Sequence, residues 1–155
     1  MTGLEYLQLS GAIREQSDDA LEIPPGYFLV LALPWPPSAN SYWRHVQIRG
    51  RALPRVLISK QGRAYRRAVA GAVLAQRGAG RLGGARISMQ IIARPPDRRR
   101  RDLDNLLKAT QDALAHAGVY DDDAQIDELH VLRATAAPPD GVLVVGLKVI
   151  DPSDA

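Results

Sequence analysis

The chain lacks cysteine, has few aromatic residues and contains no long apolar run. Without a cysteine among its 155 residues, it forms no disulfide scaffold, thiolate zinc site, iron–sulfur cluster or cysteine nucleophile, and this composition suits a reducing cytoplasm. No stretch approaches the ~20 apolar residues of a membrane span, and no basic stretch leads into an apolar one near the N-terminus. We therefore expect a cytoplasmic protein with no membrane partner.

Several motifs of common enzyme classes are also absent. No glycine-rich phosphate loop is present, which argues against a nucleotide cofactor. The serines lack a Gly-x-Ser-x-Gly setting, so serine hydrolase chemistry is unsupported. The three histidines, His45, His116 and His130, do not follow a metal-ligand spacing.

Charge is strongly segregated along the chain. Residues 40–101 carry fifteen Arg and one Lys against a single acid, Asp97, whereas residues 1–26 and 102–155 are acidic, and the net charge is +3. A basic block of this kind is typical of proteins that bind a polyanion, and the planar guanidinium of Arg pairs with phosphate at two points. The pattern favours a nucleic-acid partner and a nucleoid location; the alternative is a solvated Arg-rich surface.

Hydrophobic periodicity predicts a single compact α+β domain over 27–155, after a partly disordered N-terminal arm over 1–26. The predicted elements are a strand over 27–33, a loop over 38–45, a hairpin over 46–58, a helix over 60–77 capped by Ser59, a strand over 85–93 with one buried face, a helix over 103–117 and strands over 126–134 and 142–150. We expect a mainly antiparallel or mixed sheet of about four strands with two helices packed on it.

The densest group of charged residues lies at 97–108. Asp102 and Asp104 straddle a predicted strand-to-helix junction, Lys108 follows Asp104 by one helical turn, and a run of acids at 121–123 follows the helix. An all-oxygen carboxylate site suits Mg²⁺ or Mn²⁺. The alternatives are a helix N-cap pair, an acidic turn and a surface ion pair of Lys108. The four arginines at 98–101 favour a phosphate chain held over a metal.

Four segments, in order, resemble the RusA family of Holliday-junction resolvases. They are PWPPSANSYWRH (Pro34–His45), SKQGRAYR (Ser59–Arg66), DRRRRDLDNLLKATQDALAHAG (Asp97–Gly118) and DDAQI (Asp122–Ile126), within a similarity that runs from about Phe28 to Val149. The resemblance implies that residues 27–155 are the endonuclease domain of a small phage or prophage enzyme. Such enzymes act as dimers on four-way DNA junctions in recombination and repair.

The resemblance also implies roles for individual residues. Asp102, Asp104 and Asp123 would hold Mg²⁺, with Mn²⁺ as a substitute, and Lys108 matches the essential lysine of the family. Asn105 matches a residue implicated in junction handling. The acidic residue Asp121 departs from the family pattern, so whether it or Asp122 also binds metal stays open, as does the choice between one metal and two.

Two further groups are expected to contact DNA. Arg98, Arg99, Arg100 and Arg101 should contact phosphates, although side chains of an extended segment alternate sides, so not all four can face the DNA. A polar-aromatic loop should line the same groove through Asn40, Tyr42, Trp43, Arg44 and His45, with Trp43 stacking on an opened base. For Trp35, between prolines, packing over a strand edge is the preferred interpretation.

The expected reaction is metal-dependent, paired phosphodiester hydrolysis that leaves 5′-phosphate and 3′-hydroxyl ends. Two equivalent cuts need two active sites related by a two-fold axis, so we expect a homodimer. Two alternatives stay open: a junction-binding DNA protein that does not cut, and a metal-dependent nuclease of relaxed structure specificity.

Overall fold

The computed structural model describes residues 21–77 and 81–150, which contain a mixed four-stranded sheet, a two-stranded ribbon and three helices. In chain order the elements are β1 (Leu29–Pro34), α1 (Ala39–Tyr42), β2 (Trp43–Val46), β3 (Arg55–Ile58), α2 (Lys60–Arg77), β4 (Ile87–Arg94), a 3-10 turn (Asp104–Leu106), α3 (Leu107–His116), a second 3-10 turn (Asp123–Gln125), β5 (Ile126–Arg133) and β6 (Val142–Val149). None of the described helices is long and apolar enough to cross a membrane. The predicted fold class is confirmed.

The main sheet has the strand order β1-β6-β4-β5. β6 pairs antiparallel with both β1 and β4, whereas β5 lies parallel to β4, with Ile91 opposite Val131. The Pro-Pro-Asp-Gly turn at 138–141 therefore does not close a hairpin, because β4 separates β5 from β6. The parallel pair is joined through α3, as parallel strands require a crossover connection.

β4 is buried on both faces, which differs from the single buried face that its alternating sequence predicts. Ser88 and Gln90 are buried together with the apolar residues of the strand. The chain before β1 covers the face opposite the helices: the Tyr27 hydroxyl lies 3.4 Å from Ser88 Oγ. A Cβ on Gly146 of the neighbouring β6 would come within 2.5 Å of Ile23. Residues 1–20 of the predicted arm lie outside the described residues.

The two longer helices form the core on the other face of the sheet. Ser59 caps α2 as predicted, since its Oγ accepts a hydrogen bond from the Gly62 amide at 3.0 Å. The apolar stripe of α2 is buried through Tyr65, Val69 and Val73. The second predicted helix, 103–117, begins as a 3-10 turn and becomes α-helical only from Leu107. It ends at His116, two residues before Gly118, whose φ of +72° is a conformation that glycine adopts readily.

The predicted hairpin at 46–58 forms a separate two-stranded ribbon and begins earlier in the chain. β2 and β3 pair antiparallel from Trp43 opposite Ile58 to Val46 opposite Arg55. The predicted loop at 38–45 is instead the short helix α1 followed directly by β2. Trp43, Arg44 and His45 therefore lie in a strand, where successive side chains point to opposite faces.

Candidate active site

A cleft of about 240 Å³ lies where the segment after β1 meets the arginine-rich segment before α3. Its walls are formed by Trp35, Pro36, Ser38, Arg100, Arg101, Asp102, Asn105 and Leu106. Two segments that are more than sixty residues apart in the chain thus share one cleft. Trp35 also packs against the hydrophobic core, in agreement with its predicted structural role.

Asp102 is exposed in the wall of this cleft, and Asp104 is exposed at the start of the 3-10 turn that precedes α3. Neither makes a hydrogen bond or ion pair within residues 21–77 and 81–150. The N-cap positions of the 3-10 turn and of α3 are Leu103 and Leu106, without a side-chain cap bond. The N-cap alternative for the two aspartates is therefore not supported.

Lys108 and Asp123 form an ion pair. Within residues 21–77 and 81–150 it is the only ion pair in which a lysine takes part. Lys108 Nζ donates to Asp123 Oδ2 at 2.6 Å, across fifteen residues of sequence. This hydrogen bond raises the pKa of Lys108 and lowers the pKa of Asp123. The alternative of an ion pair between Lys108 and Asp104 one turn earlier is not observed.

The acidic run at 121–123 is held by a buried glutamine. Gln125 Oε1 accepts from the backbone amides of Asp121 and Asp122, each at 2.8 Å. Gln125 Nε2 donates to the carbonyls of Gly83 and Ala85, each at 2.7 Å. Asp122 caps the 3-10 turn by accepting from the Ala124 amide at 2.8 Å. Asp123 is thus the member of the run that contacts Lys108.

The four arginines before the helix are not equivalent. Arg101 turns back and donates to both oxygens of Asp97, at 2.5 and 2.9 Å. The Asp97 carboxylate also accepts from the Arg99 amide, and the hydrogen bond from Arg101 is the main reason that its pKa lies far below the ordinary range. Arg98 and Arg100 are exposed and have no partner among the described side chains. The predicted phosphate contact of Arg101 stays a prediction, since its guanidinium is paired with Asp97 in this structure.

A network of three side chains joins α1, α2 and α3. Arg66 of α2 donates to Asp112 Oδ2 through Nε at 3.0 Å and through its terminal nitrogen at 2.5 Å. The hydroxyl of Tyr42 donates to the same oxygen. Tyr42 is fully buried, and this burial is the largest cause of its pKa being raised to about 12.

The network changes the predicted set of DNA contacts. Tyr42 is not available to DNA, because its ring is buried and its hydroxyl is bonded to Asp112. Trp43 is half-buried with its ring edge-on to Tyr42 at 5.0 Å. Asn40, Arg44 and His45 are exposed, as that prediction requires. The sequence could have indicated this network, because Arg66 and Asp112 are charged residues on helix faces that turn towards the core.

The carboxylates suit a hard divalent cation by their chemistry. Within the described ranges, 21–77 and 81–150, no three Asp, Glu or His side chains are grouped closely enough to hold a metal ion together. Mg²⁺, however, usually takes one or two protein carboxylates and keeps water or phosphate at its other positions. The unpaired carboxylates of Asp102 and Asp104 fit that requirement, so the predicted metal site remains a prediction.

The segments that build this site are those of a known protein family. The family model described as Endodeoxyribonuclease RusA matches residues 34–144, which is more than half of the chain. The chain belongs to the RusA family. The predicted resemblance and the predicted class of enzyme, a nuclease that acts on phosphodiester bonds, are therefore confirmed.

Curated relatives within the RusA family come from phages and bacteria. The crossover junction endodeoxyribonuclease of Enterobacteria phage HK97 is 42% identical over 106 residues, which cover 68% of this chain and 82% of the relative. Those of Enterobacteria phage 82 and of Escherichia coli strain K12 are each 44% identical over 108 residues, covering 66% of this chain and 80% of the relative.

Proposed function

We propose that the protein resolves four-way DNA junctions by magnesium-dependent phosphodiester hydrolysis, in recombination and repair. The observation that carries the proposal is the pair of unpartnered carboxylates, Asp102 in the wall of the arginine-lined cleft and Asp104 two residues later in the chain. Leaving two anions next to a polyanion-binding surface costs binding energy, so a pure binding protein gains nothing from them. The names of the relatives, crossover junction endodeoxyribonucleases, support the junction as the substrate.

The basic side chains of the site bind and orient the DNA strand. Arg98 and Arg100 are free to contact phosphates, whereas the ion pair of Arg101 with Asp97 fixes the turn that presents them. Asn105, at the cleft wall, supplies a neutral polar contact. Asp102 and Asp104 would hold Mg²⁺ directly, with Asp123 as the third proposed ligand, and the ion would supply a coordinated water of lowered pKa and neutralise charge on the scissile phosphate.

Lys108 acts as a permanent cation in this proposal. Its ammonium is protonated at neutral pH, since the ordinary pKa of a lysine is about 10.4, and the hydrogen bond to Asp123 raises that pKa further. It therefore cannot serve as a general base there; it stabilises negative charge that develops on the phosphate oxygens. Hydrolysis would leave a 5′-phosphate and a 3′-hydroxyl end.

The paired cuts require a homodimer. A four-way junction presents two equivalent strands related by a two-fold axis, and one active site reaches only one of them. Analytical ultracentrifugation at the concentration used for cleavage should show a dimer. A monomer that makes both cuts in a single binding event would contradict this part of the proposal.

The decisive experiment compares a labelled four-way junction with a linear duplex of the same sequence. We expect symmetric nicks on the junction alone, with Mg²⁺ or Mn²⁺ and not with chelator. Tight junction binding without nicks in either metal would instead show a non-cutting binding protein. Equal cutting of both DNAs would show a nuclease of relaxed structure specificity.

The substitution Asp104→Asn tests the catalytic role of the unpaired carboxylates. It should abolish cutting while junction binding is unchanged or tighter, because a negative charge near phosphate is removed. Asp140→Asn, in the turn after β5, is the matched control and should leave cutting unchanged. A folded Asp104→Asn protein that loses binding as well as cutting would mean that the aspartate is structural.

A further inference from the structure

The antiparallel ribbon Trp43–Ile58, which we call the basic ribbon, carries charge of one sign only. It carries Arg44, Arg49, Arg51 and Arg55 and no acidic residue. All four arginines are exposed, and no guanidinium group among them has a hydrogen-bond or ion-pair partner within residues 21–77 and 81–150. A strand ribbon of this charge fits a DNA groove by its dimensions and attracts phosphate.

The base of the basic ribbon is fixed rigidly to the domain. The Ser59 amide donates to the carbonyl of Tyr42 at 2.9 Å, and the Ser59 hydroxyl donates to the carbonyl of Ser41 at 2.5 Å. The packing beneath is so close that a Cβ on Gly62 would lie 2.6 Å from Ile58 and 2.7 Å from the Tyr42 carbonyl oxygen. The ribbon therefore cannot turn independently of α2.

The same base is joined to the helix that carries the candidate catalytic lysine. Tyr42, directly before β2, donates its hydroxyl to Asp112 of α3. Asp112 follows Lys108 by one helical turn. A DNA contact made by the basic ribbon thus acts at a fixed position relative to the active site.

The loop of the basic ribbon exposes a large apolar side chain. Leu53 is 79% exposed, in a loop whose nearest charged neighbours are Arg51 and Arg55. Proteins that deform DNA use apolar side chains of this kind against base faces where stacking is interrupted.

We propose that the basic ribbon is a second DNA-binding element that recognises the branch point of the junction. Arg49, Arg51 and Arg55 contact backbone phosphates, and Leu53 packs against base faces uncovered where the arms meet. A continuous duplex keeps its bases stacked, so Leu53 favours branched DNA whereas the arginines bind any DNA. This inference rests on the proposed junction substrate. It assigns to the basic ribbon the discrimination between branched DNA and continuous duplex.

The arginines are tested by the salt dependence of junction binding, measured with chelator so that no DNA is cut. Arg49→Gln and Arg51→Gln should each reduce the slope of log K against log salt by about 0.9, the value for one phosphate contact. Lys148→Gln is the control of equal charge, because Lys148 lies over the ring of Tyr27, on the sheet face opposite the helices. It should leave the slope unchanged.

The leucine is tested by the ratio of junction to duplex affinity. Leu53→Ser should reduce this ratio about tenfold, the change expected when burial of one leucine is lost. Leu74→Ser is the matched control, since Leu74 is 77% exposed on α2, and it should leave the ratio unchanged. Both sites are exposed, and thermal melting confirms that the variants fold.

The outcomes separate the ribbon from the proposed function. If the wild-type protein prefers and cuts junctions but the ribbon variants bind like it, the ribbon inference is wrong and the proposed function stands. If Leu53→Ser weakens junction and duplex binding equally, Leu53 does not recognise the branch and the inference is overturned. If the wild-type protein does not distinguish a junction from a duplex, the proposed function and the ribbon inference both fail.

Discussion

At the scale of single residues, the aspartates at and near the site fall into two groups, those whose carboxylate accepts a hydrogen bond and those whose carboxylate does not. Asp97, Asp112 and Asp122 accept hydrogen bonds that hold local structure. Asp102 and Asp104 have no partner among the described residues. Carboxylates without a structural role at a basic cleft are the ones available for chemistry, which is why we place the catalytic function on them.

The Lys108–Asp123 pair predicts a pH dependence. Asp123 has a lowered pKa in the folded protein, so its contribution to stability is present above the ordinary Asp pKa of about 3.9 and is lost as pH falls through the lowered value. In Lys108→Gln, the pKa of Asp123 should rise, because the hydrogen bond that lowers it is gone.

NMR titration of the Asp123 side-chain carboxyl measures this shift directly. Lys60→Gln, which removes an exposed lysine at the start of α2, is the control and should leave the Asp123 pKa where it is. An unchanged pKa in Lys108→Gln would show that the ion pair does not persist in solution.

Two glycines of α2 should respond oppositely to alanine. Gly62→Ala should cost about 1–3 kcal/mol of unfolding free energy, because its Cβ would lie 2.7 Å from a backbone oxygen that cannot move aside. Gly71 has open space around its Cβ position, so Gly71→Ala should add about 0.5–1 kcal/mol through helix propensity. Urea denaturation of both variants tests the pair, and equal effects would contradict the close approach at Gly62.

At the scale of elements, α3 connects the site to the rest of the domain. One turn of it presents Lys108 to Asp123, and the next presents Asp112 to Arg66 and Tyr42. The helix is thus held to α1 and α2 by one polar network while its other end faces the cleft. We infer that this network fixes the rotation of α3 about its axis and so the position of Lys108.

The Arg66–Asp112–Tyr42 network should contribute more to the free energy of unfolding than an exposed ion pair does. Asp112→Ala should lower the unfolding free energy by about 1–3 kcal/mol, because it leaves Arg66 and Tyr42 without their acceptor in a largely buried place. Asp127→Ala breaks the exposed pair with Arg86, which solvent screens, and should have a much smaller effect. Chemical denaturation compares the two variants. A smaller loss of unfolding free energy in Asp112→Ala than in Asp127→Ala would show that the network does not hold α3 in place.

At the scale of the whole molecule, the sheet is covered on both faces. The helices cover one face, and the segment before β1 covers part of the other, with Ile23 and Tyr27 over β6 and Ser88. This explains why the polar residues of β4 are buried: the segment before β1 covers their side chains and shields them from water.

Removing part of that cover should destabilise the domain. Ile23→Ala should lower the unfolding free energy by about 1–2 kcal/mol, because the half-buried side chain loses its apolar contact with the sheet. Leu74→Ala, at a side chain that is 77% exposed, should change it little. Thermal unfolding of both variants is the measurement, and a neutral Ile23→Ala would show that the cover is not held in solution.

Much of the fold could be predicted because local patterns specify it. The periodicity and cap of 60–77 predict α2 closely, and Gly118 lies just beyond the observed end of α3. The strand order could not be predicted, since nothing in the turn at 138–141 shows that β4 lies between β5 and β6. The site was predicted through motifs at 34–45 and 97–126, and the structure brings two of their segments to one cleft.

By itself, the sequence determined most of the elements, the basic block and the candidate carboxylates, because periodicity, charge and motif spacing are properties of neighbouring residues. Only the tertiary structure decided which groups each of these side chains contacts. It turned Arg101 to Asp97, buried Tyr42 against Asp112 and joined Lys108 to Asp123 rather than Asp104. The physical reason is that a side chain's role depends on which distant groups packing brings within hydrogen-bond reach, and spacing along the chain does not contain that distance.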